Sequence, residues 1–156
     1  MPSQNIQIKV QREDFDVNAE ISQLTKGRTD IGALVTFIGL CRDEDGSLAA
    51  LELEHYPGMA EAQIKAIGID ACRRWDLQGL LAIHRYGKII PGKNIVLVIT
   101  AARHRQAAFD GANYLMDFLK TSAPFWKKEI LNNGKEGQWV SAKDGDEDAL
   151  KKWGKY

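Results

Sequence analysis

One stretch constrains this chain more than any other: Asn94 to Ala101 (Asn-Ile-Val-Leu-Val-Ile-Thr-Ala), which delivers the backbone straight towards a helix. A short, β-branched and almost uninterrupted apolar run reads as a buried strand. The helix beyond it spans about 105–121, with Phe109, Ala112, Met116 and Leu119 spaced to share one face, and Pro124 stops it. Upstream, Gly79 to Tyr86 reads as a further strand, joined to the first through a Pro91-Gly92 turn.

The remaining segments alternate between the two periodicities. Ile6 to Val10 alternates apolar and polar residues, as a half-buried strand does. Asp16 is placed to cap a short helix over about 17–26 that carries Ile21 and Leu24 on one face. Gly32 to Leu40 reads as a buried strand, Asp43-Glu44-Asp45-Gly46 as a turn, and Leu51 to His55 as an alternating strand. After Pro57-Gly58, the residues Ile64, Ile67, Ala71 and Trp75 mark a helix. A short strand at Gln138 to Val140 and a charged helical stretch from about Asp146 to Trp153 end the chain. The order β-α-β-β-α-β-β-α mixes hairpins with crossovers, which predicts an α+β, or mixed α/β, fold around a largely antiparallel sheet. No linker or repeat interrupts it, so residues 1–156 read as one domain with a charged tail at about 141–156.

With 44% hydrophobic and 27% charged residues over 156 positions, the chain excludes disordered, collagen-like and coiled-coil classes. Its formal charge is zero, which removes the simplest argument for nucleic acid or a membrane surface as a partner. That zero hides segregation. Residues 41–61 hold one base and six acids, whereas residues 103–128 hold five bases and two acids. No apolar run nears the roughly 20 residues needed to span a bilayer, and Met1 to Asn5 lacks a basic secretory start, so a cytoplasmic chain is expected. Cys41 and Cys72 are too few for a disulfide framework, and the scattered His55, His84 and His104 offer no metal-ligand spacing.

Chemistry concentrates in 103–128. A strand feeding a helix start exposes unpaired backbone N–H groups that favour an anion, and Arg103, His104 and Arg105 add donors suited to phosphate. Solvated loop arginines are the plainer account of the same residues. Lys120 closes the helix, where a lysine commonly just complements the dipole. It also directly follows Leu119, which suggests a half-buried stem, and Phe125 and Trp126 offer apolar walls beside Lys127. Arg42 follows a strand end, where a base can converge on a site or simply be solvated. Cys41, His55 and His84 read as packed core residues. No phosphate-binding glycine loop, dinucleotide fingerprint or nucleophile elbow is present. These residues alone describe a basic, anion-binding pocket with one or two lysines, without naming a reaction.

Two longer stretches carry a resemblance. Leu51-Glu52-Leu53-Glu54-His55-Tyr56-Pro57-Gly58-Met59 and the run from Met116 through Lys120-Thr121-Ser122-Ala123-Pro124-Phe125-Trp126-Lys127-Lys128 to Glu129 closely resemble signatures of the MoaE family, the catalytic (large) subunits of molybdopterin synthase. Val35 to Gly39 leading to Arg42, Ile83 to Gly87, and His104-Arg105 support it, and the likeness spans about 5–153. The resemblance implies an α/β-hammerhead fold with an additional antiparallel β subdomain. It implies a sulfurtransferase of molybdenum cofactor biosynthesis that converts cyclic pyranopterin monophosphate (precursor Z) to molybdopterin by installing its dithiolene sulfurs.

Sulfur would arrive as a thiocarboxylate on the C-terminal Gly-Gly of a small ubiquitin-like carrier subunit, in a heterotetramer built on a homodimer. No external cofactor and no metal is implied, because the carrier delivers the sulfur. Position by position, Lys120 is similar to the family's essential lysine and Lys127 to its partner, with Lys120 serving as acid/base or as a covalent anchor. Arg42, His104 and Arg105 match basic residues around the carrier tail and substrate phosphate, while Phe37 and Met116 match apolar positions beside that tail. Lys143 is the basic residue expected to reach the neighbouring subunit's pocket. Arg103 departs from the family pattern. The alternatives are a non-catalytic carrier-binding module or a phosphate-binding module resting on the same basic corner.

Overall fold

The computed structural model describes residues 5–140; the expected charged helix at 146–153 and Lys143 lie outside the described residues. Ten elements follow one another: β1 (Asn5–Gln11), α1 (Val17–Thr25), β2 (Ala33–Leu40), β3 (Leu48–His55), α2 (Met59–Trp75), β4 (Gly79–Arg85), β5 (Gly87–Ile89), β6 (Asn94–Ala102), α3 (Arg105–Thr121) and β7 (Phe125–Leu131). They form a four-stranded sheet ordered β1-β4-β6-β2 and a three-stranded sheet ordered β5-β3-β7. Among the described residues, only the β1–β4 pair is parallel; the other pairs run antiparallel, in keeping with the α+β expectation.

The apolar runs of β4 and β6 are explained by their central position. Leu80, Ala82, Val96, Val98 and Ala102 pack with Ile64, Ile67 and Ala71 of α2 and with Ala108, Leu115 and Phe118 of α3. The alternate residues Leu81, Ile83, Leu97, Ile99 and Ala101 pack on the other face with Leu24 and Ile21 of α1, Phe15 and Ile31. A strand covered on both faces loses its polar alternation. Asp16 caps α1 as its position predicts, its carboxylate accepting from the Ala19 N–H at 3.1 Å. The helices are clamped together where the Tyr114 hydroxyl donates to Asp70, which Arg74 also holds at 3.1 Å.

Four expectations are corrected. The stretch Gly32 to Leu40 forms β2, but β2 is an edge strand whose Leu34, Phe37, Ile38 and Leu40 are exposed rather than buried. Apolar composition alone does not distinguish an edge from a centre. Between β4 and β6 lies an unforeseen strand, β5, which crosses to the second sheet and pairs with Leu51–Leu53; Gly87 takes the left-handed φ of 90° required at that corner. The run after Pro124 forms β7, paired along β3 from His55↔Phe125 to Leu48↔Leu131, whereas Gln138 to Val140 contributes only one bridge, Lys127↔Val140. In α3 the expected Ala112, Met116 and Leu119 are buried, together with Ala108, Gly111, Leu115 and Phe118, but Phe109 is 56% exposed and falls outside the packed face. No helix among the described residues is long and apolar enough to cross a membrane.

The approach of β2 to the end of β6 leaves no room for a side chain at Gly32, where an added Cβ would sit 2.0 Å from the Arg103 carbonyl oxygen. Because that neighbour is backbone, the strand must shift. Gly32→Ala is therefore expected to destabilise the fold by about 2 kcal/mol or more; urea unfolding checks this, and an unchanged midpoint contradicts it.

Candidate active site

Where the two sheets meet, the fold leaves an open cavity of about 540 Å³ walled by β2, β3, β6, the end of α3, the 122–124 loop and β7. Its construction begins with the end of α3. The Ser122 and Ala123 N–H groups both donate to the Phe118 carbonyl, at 2.9 and 3.2 Å, closing the last turn. Pro124 cannot extend the helix, and its carbonyl accepts from the Tyr56 N–H at 3.3 Å, which starts the pairing of β7 with β3. Lys120, in the last turn of α3, and Lys127, opposite Leu53 in β7, are thereby turned onto one cavity. Lys127 is fixed by two backbone bonds with Val140, of 3.1 and 2.7 Å.

Four of the residues singled out by sequence converge here: Lys120, Lys127, Phe37 from β2 and Met116 from α3 all line the cavity. The enclosure of the lysines reverses the expectation. Lys120 is exposed and Lys127 is half-buried, because position 120 turns about 100° past the packed Leu119. Among the described residues, no carboxylate lines the cavity. An ammonium group attracts an anion at 4 Å by about 4 kcal/mol at the effective permittivity of a protein surface.

The other basic residues lie elsewhere in the chain. Arg42 follows β2 on an exposed loop, its side chain 76% accessible and ion-paired with Glu44 at 2.6 Å. His104 and Arg105 sit at the start of α3, about 24 Å of helix rise from Lys120. The departure Arg103 pairs with Asp76 at 3.1 Å. Within one chain these residues do not line the cavity that holds the lysines.

Two groups read from sequence as core behave differently from one another. Cys41 is buried, as expected, and so is Cys72; burial pushes both thiols up, Cys72 to about 11, so neither is a usable thiolate. His84 is buried but also borders the cavity, a role that sequence reasoning missed. Its ring stacks on Phe125 with centroids 3.8 Å apart, and Nδ1 lies 2.8 Å from the Arg85 carbonyl. Periodicity could not have found it, since every residue of β4 before Arg85 is buried. Among the described residues, no cluster of three or more His, Cys, Asp or Glu could hold a metal ion.

Burial holds His84 neutral, down to about 4; Lys120 and His55 push the same way, and the bond to the Arg85 carbonyl opposes them. An unfolded imidazole titrates near 6.5, so the unfolded chain binds the extra proton between these values. Stability is therefore full above about pH 6.5 and falls as the pH drops towards 4. His84→Phe is expected to reduce the stability difference between pH 7.5 and pH 4.5 by up to about 3 kcal/mol. Urea unfolding at the two pH values measures it, and an undiminished difference contradicts it.

Comparison with known proteins gives this site a family. A family model described as "MoaE protein" matches residues 10–122. The molybdopterin synthase catalytic subunit of Mesorhizobium japonicum is 64% identical over 146 residues, covering 94% of this chain and 92% of the relative. Among solved structures, the molybdopterin biosynthesis MoaE protein of Burkholderia ambifaria superposes with a TM-score of 0.83 at 45% identity, covering 97% of this chain and 99% of that one. The molybdopterin synthase of Staphylococcus aureus gives a TM-score of 0.76 at 26% identity, covering 85% of this chain and 96% of that one. Sequence and fold agree along nearly the whole length, and the chain belongs to the MoaE family.

Proposed function

We propose that this chain works as the catalytic subunit of a molybdopterin synthase, a sulfurtransferase, and that the cavity between its two sheets is where sulfur is transferred. The observation that carries the reading is that Lys120 and Lys127 line one and the same cavity. Both reactants are anions: the thiocarboxylate tail of a small carrier subunit and the cyclic phosphate of precursor Z. A cationic cavity holds such groups close, where an acidic one would repel them. The inert Cys41 and Cys72 leave the chain without a sulfur donor of its own, which favours delivery by a carrier.

In this reading Lys120 acts at the reacting carbonyl of the tail, as acid/base or as the amine that holds the acyl group. Lys127, better enclosed, fixes the anion, and Phe37 and Met116 wall the tail off from water. His104 and Arg105, about 24 Å along α3, serve the same ligand only from a second copy; a homodimer within a heterotetramer supplies one. Arg42 joins the site by exchanging its pairing with Glu44 for an anion. A cytoplasmic location follows from the biosynthetic role.

The test is reconstitution with a thiocarboxylated carrier and precursor Z, reading dithiolene product by fluorescence after oxidation. Lys120→Ala should lower the rate by roughly 10²- to 10⁴-fold while carrier binding survives. Normal product formation by that variant would remove Lys120 from the chemistry. Carrier binding by the unmodified protein without any product would favour a non-catalytic binding module instead.

A further inference from the structure

His84 has a property that the sulfur-transfer reading leaves unused. A carbonyl oxygen only accepts, so the 2.8 Å contact with the Arg85 carbonyl requires Nδ1 to carry the hydrogen. The buried ring is neutral, so Nε2 is a bare acceptor by valence. No hydrogen-bond partner for Nε2 occurs among the described residues, and the ring that carries it borders the cavity. Strand β4 and the stack on Phe125 fix its direction.

A rigid, uncharged acceptor is misplaced for either anionic group. Phosphate and thiocarboxylate oxygens present lone pairs and no donors, and the two lysines already serve them. Once water is displaced, Nε2 needs an N–H or O–H partner or it loses the free energy of an unmade hydrogen bond. The pyranopterin part of the substrate is a flat nitrogen heterocycle carrying N–H groups on its edge, and Phe37, Phe125 and Trp126 supply flat walls on the same cavity.

We infer that His84 is a specificity-determining residue, its Nε2 accepting a hydrogen bond from an edge N–H of the bound pyranopterin. The lysines then hold the substrate by its charge and His84 reads its heterocycle. This inference rests on the proposed sulfur-transfer function for the identity of the ligand.

The experiment titrates the intact protein with precursor Z in the absence of carrier, following pterin fluorescence, and repeats the titration with a cyclic phosphate ester lacking the heterocycle. His84→Phe keeps the stacked ring and removes the acceptor. It should weaken precursor binding roughly 5- to 100-fold and raise KM with kcat nearly unchanged. Binding of the bare phosphate ester and of the carrier should stay as in wild type. His84→Gln, which restores an acceptor at similar reach, should recover most of the loss. If His84→Phe does not fold, the near-isosteric pair His84→Gln and His84→Met makes the same comparison, with Met showing the loss.

Equal precursor affinity in the folded variant and wild type would overturn the inference. So would an equal loss for the bare phosphate ester, or a loss confined to carrier affinity. A wild-type protein that binds precursor Z with the expected His84 dependence but forms no product would contradict the sulfur-transfer reading alone.

Discussion

The burial of β4 and β6 on both faces is the constraint from which the rest of the molecule follows. Their backbone groups are satisfied by pairing with each other and with β1 and β2, while their side chains need cover above and below. The helices α2 and α3 cover one face and α1 the other, which fixes the axis of α3 against the sheet. The C-terminal turn of α3 is thereby set beside the second sheet. Since β7 starts three residues after the Ser122 cap, the chain reverses within the 122–124 loop, and two lysines seven positions apart come to border one cavity. The site is a consequence of how the helix must end.

Much of that frame is legible from residue spacing. The Asp16 cap, the span of α2, the limits of α3 and the central strand at 94–102 all follow from local rules. What was hidden depends on neighbours rather than on local sequence. Phe-Ile-Gly-Leu in β2 has the composition of a core strand, yet Phe37 and Leu40 face an open cavity. The strand β7, Phe-Trp-Lys-Lys-Glu-Ile-Leu, lacks the alternation that announces a strand and is held by β3 instead. Phe109 fits a helical stripe by count, but Gly111 lets Leu77 approach, and the packed face includes Ala108 and leaves Phe109 outside it. Lys120 and Lys127 gained their meaning from the family signature, and only the fold shows that they share a cavity. His84 was obscured because a buried histidine on a buried strand resembles any other core residue.

Electrostatically, the chain resolves its neutral sum into separate regions. The acidic group Asp43, Glu44 and Asp45 lies on the turn after β2, where its carboxylates are occupied by the turn's own N–H groups, by Ser47 and by Arg42. Among the described residues, the cavity is lined by two lysines and a neutral histidine and by no acid. On the proposed function, that division separates the attraction of anions from the reading of an uncharged edge, with the buried Cys41 and Cys72 apart from both.

On the proposed function, a carrier tail reaches the cavity between the two sheets. A carrier bearing a mildly electrophilic C-terminal ester in place of the thiocarboxylate acylates whichever amine its tail meets, and peptide mass spectrometry locates the adduct. Modification of Lys120 or Lys127, suppressed by unmodified carrier, is the expected result. Modification confined to lysines outside the cavity, such as Lys9, Lys65 or Lys93, would contradict it.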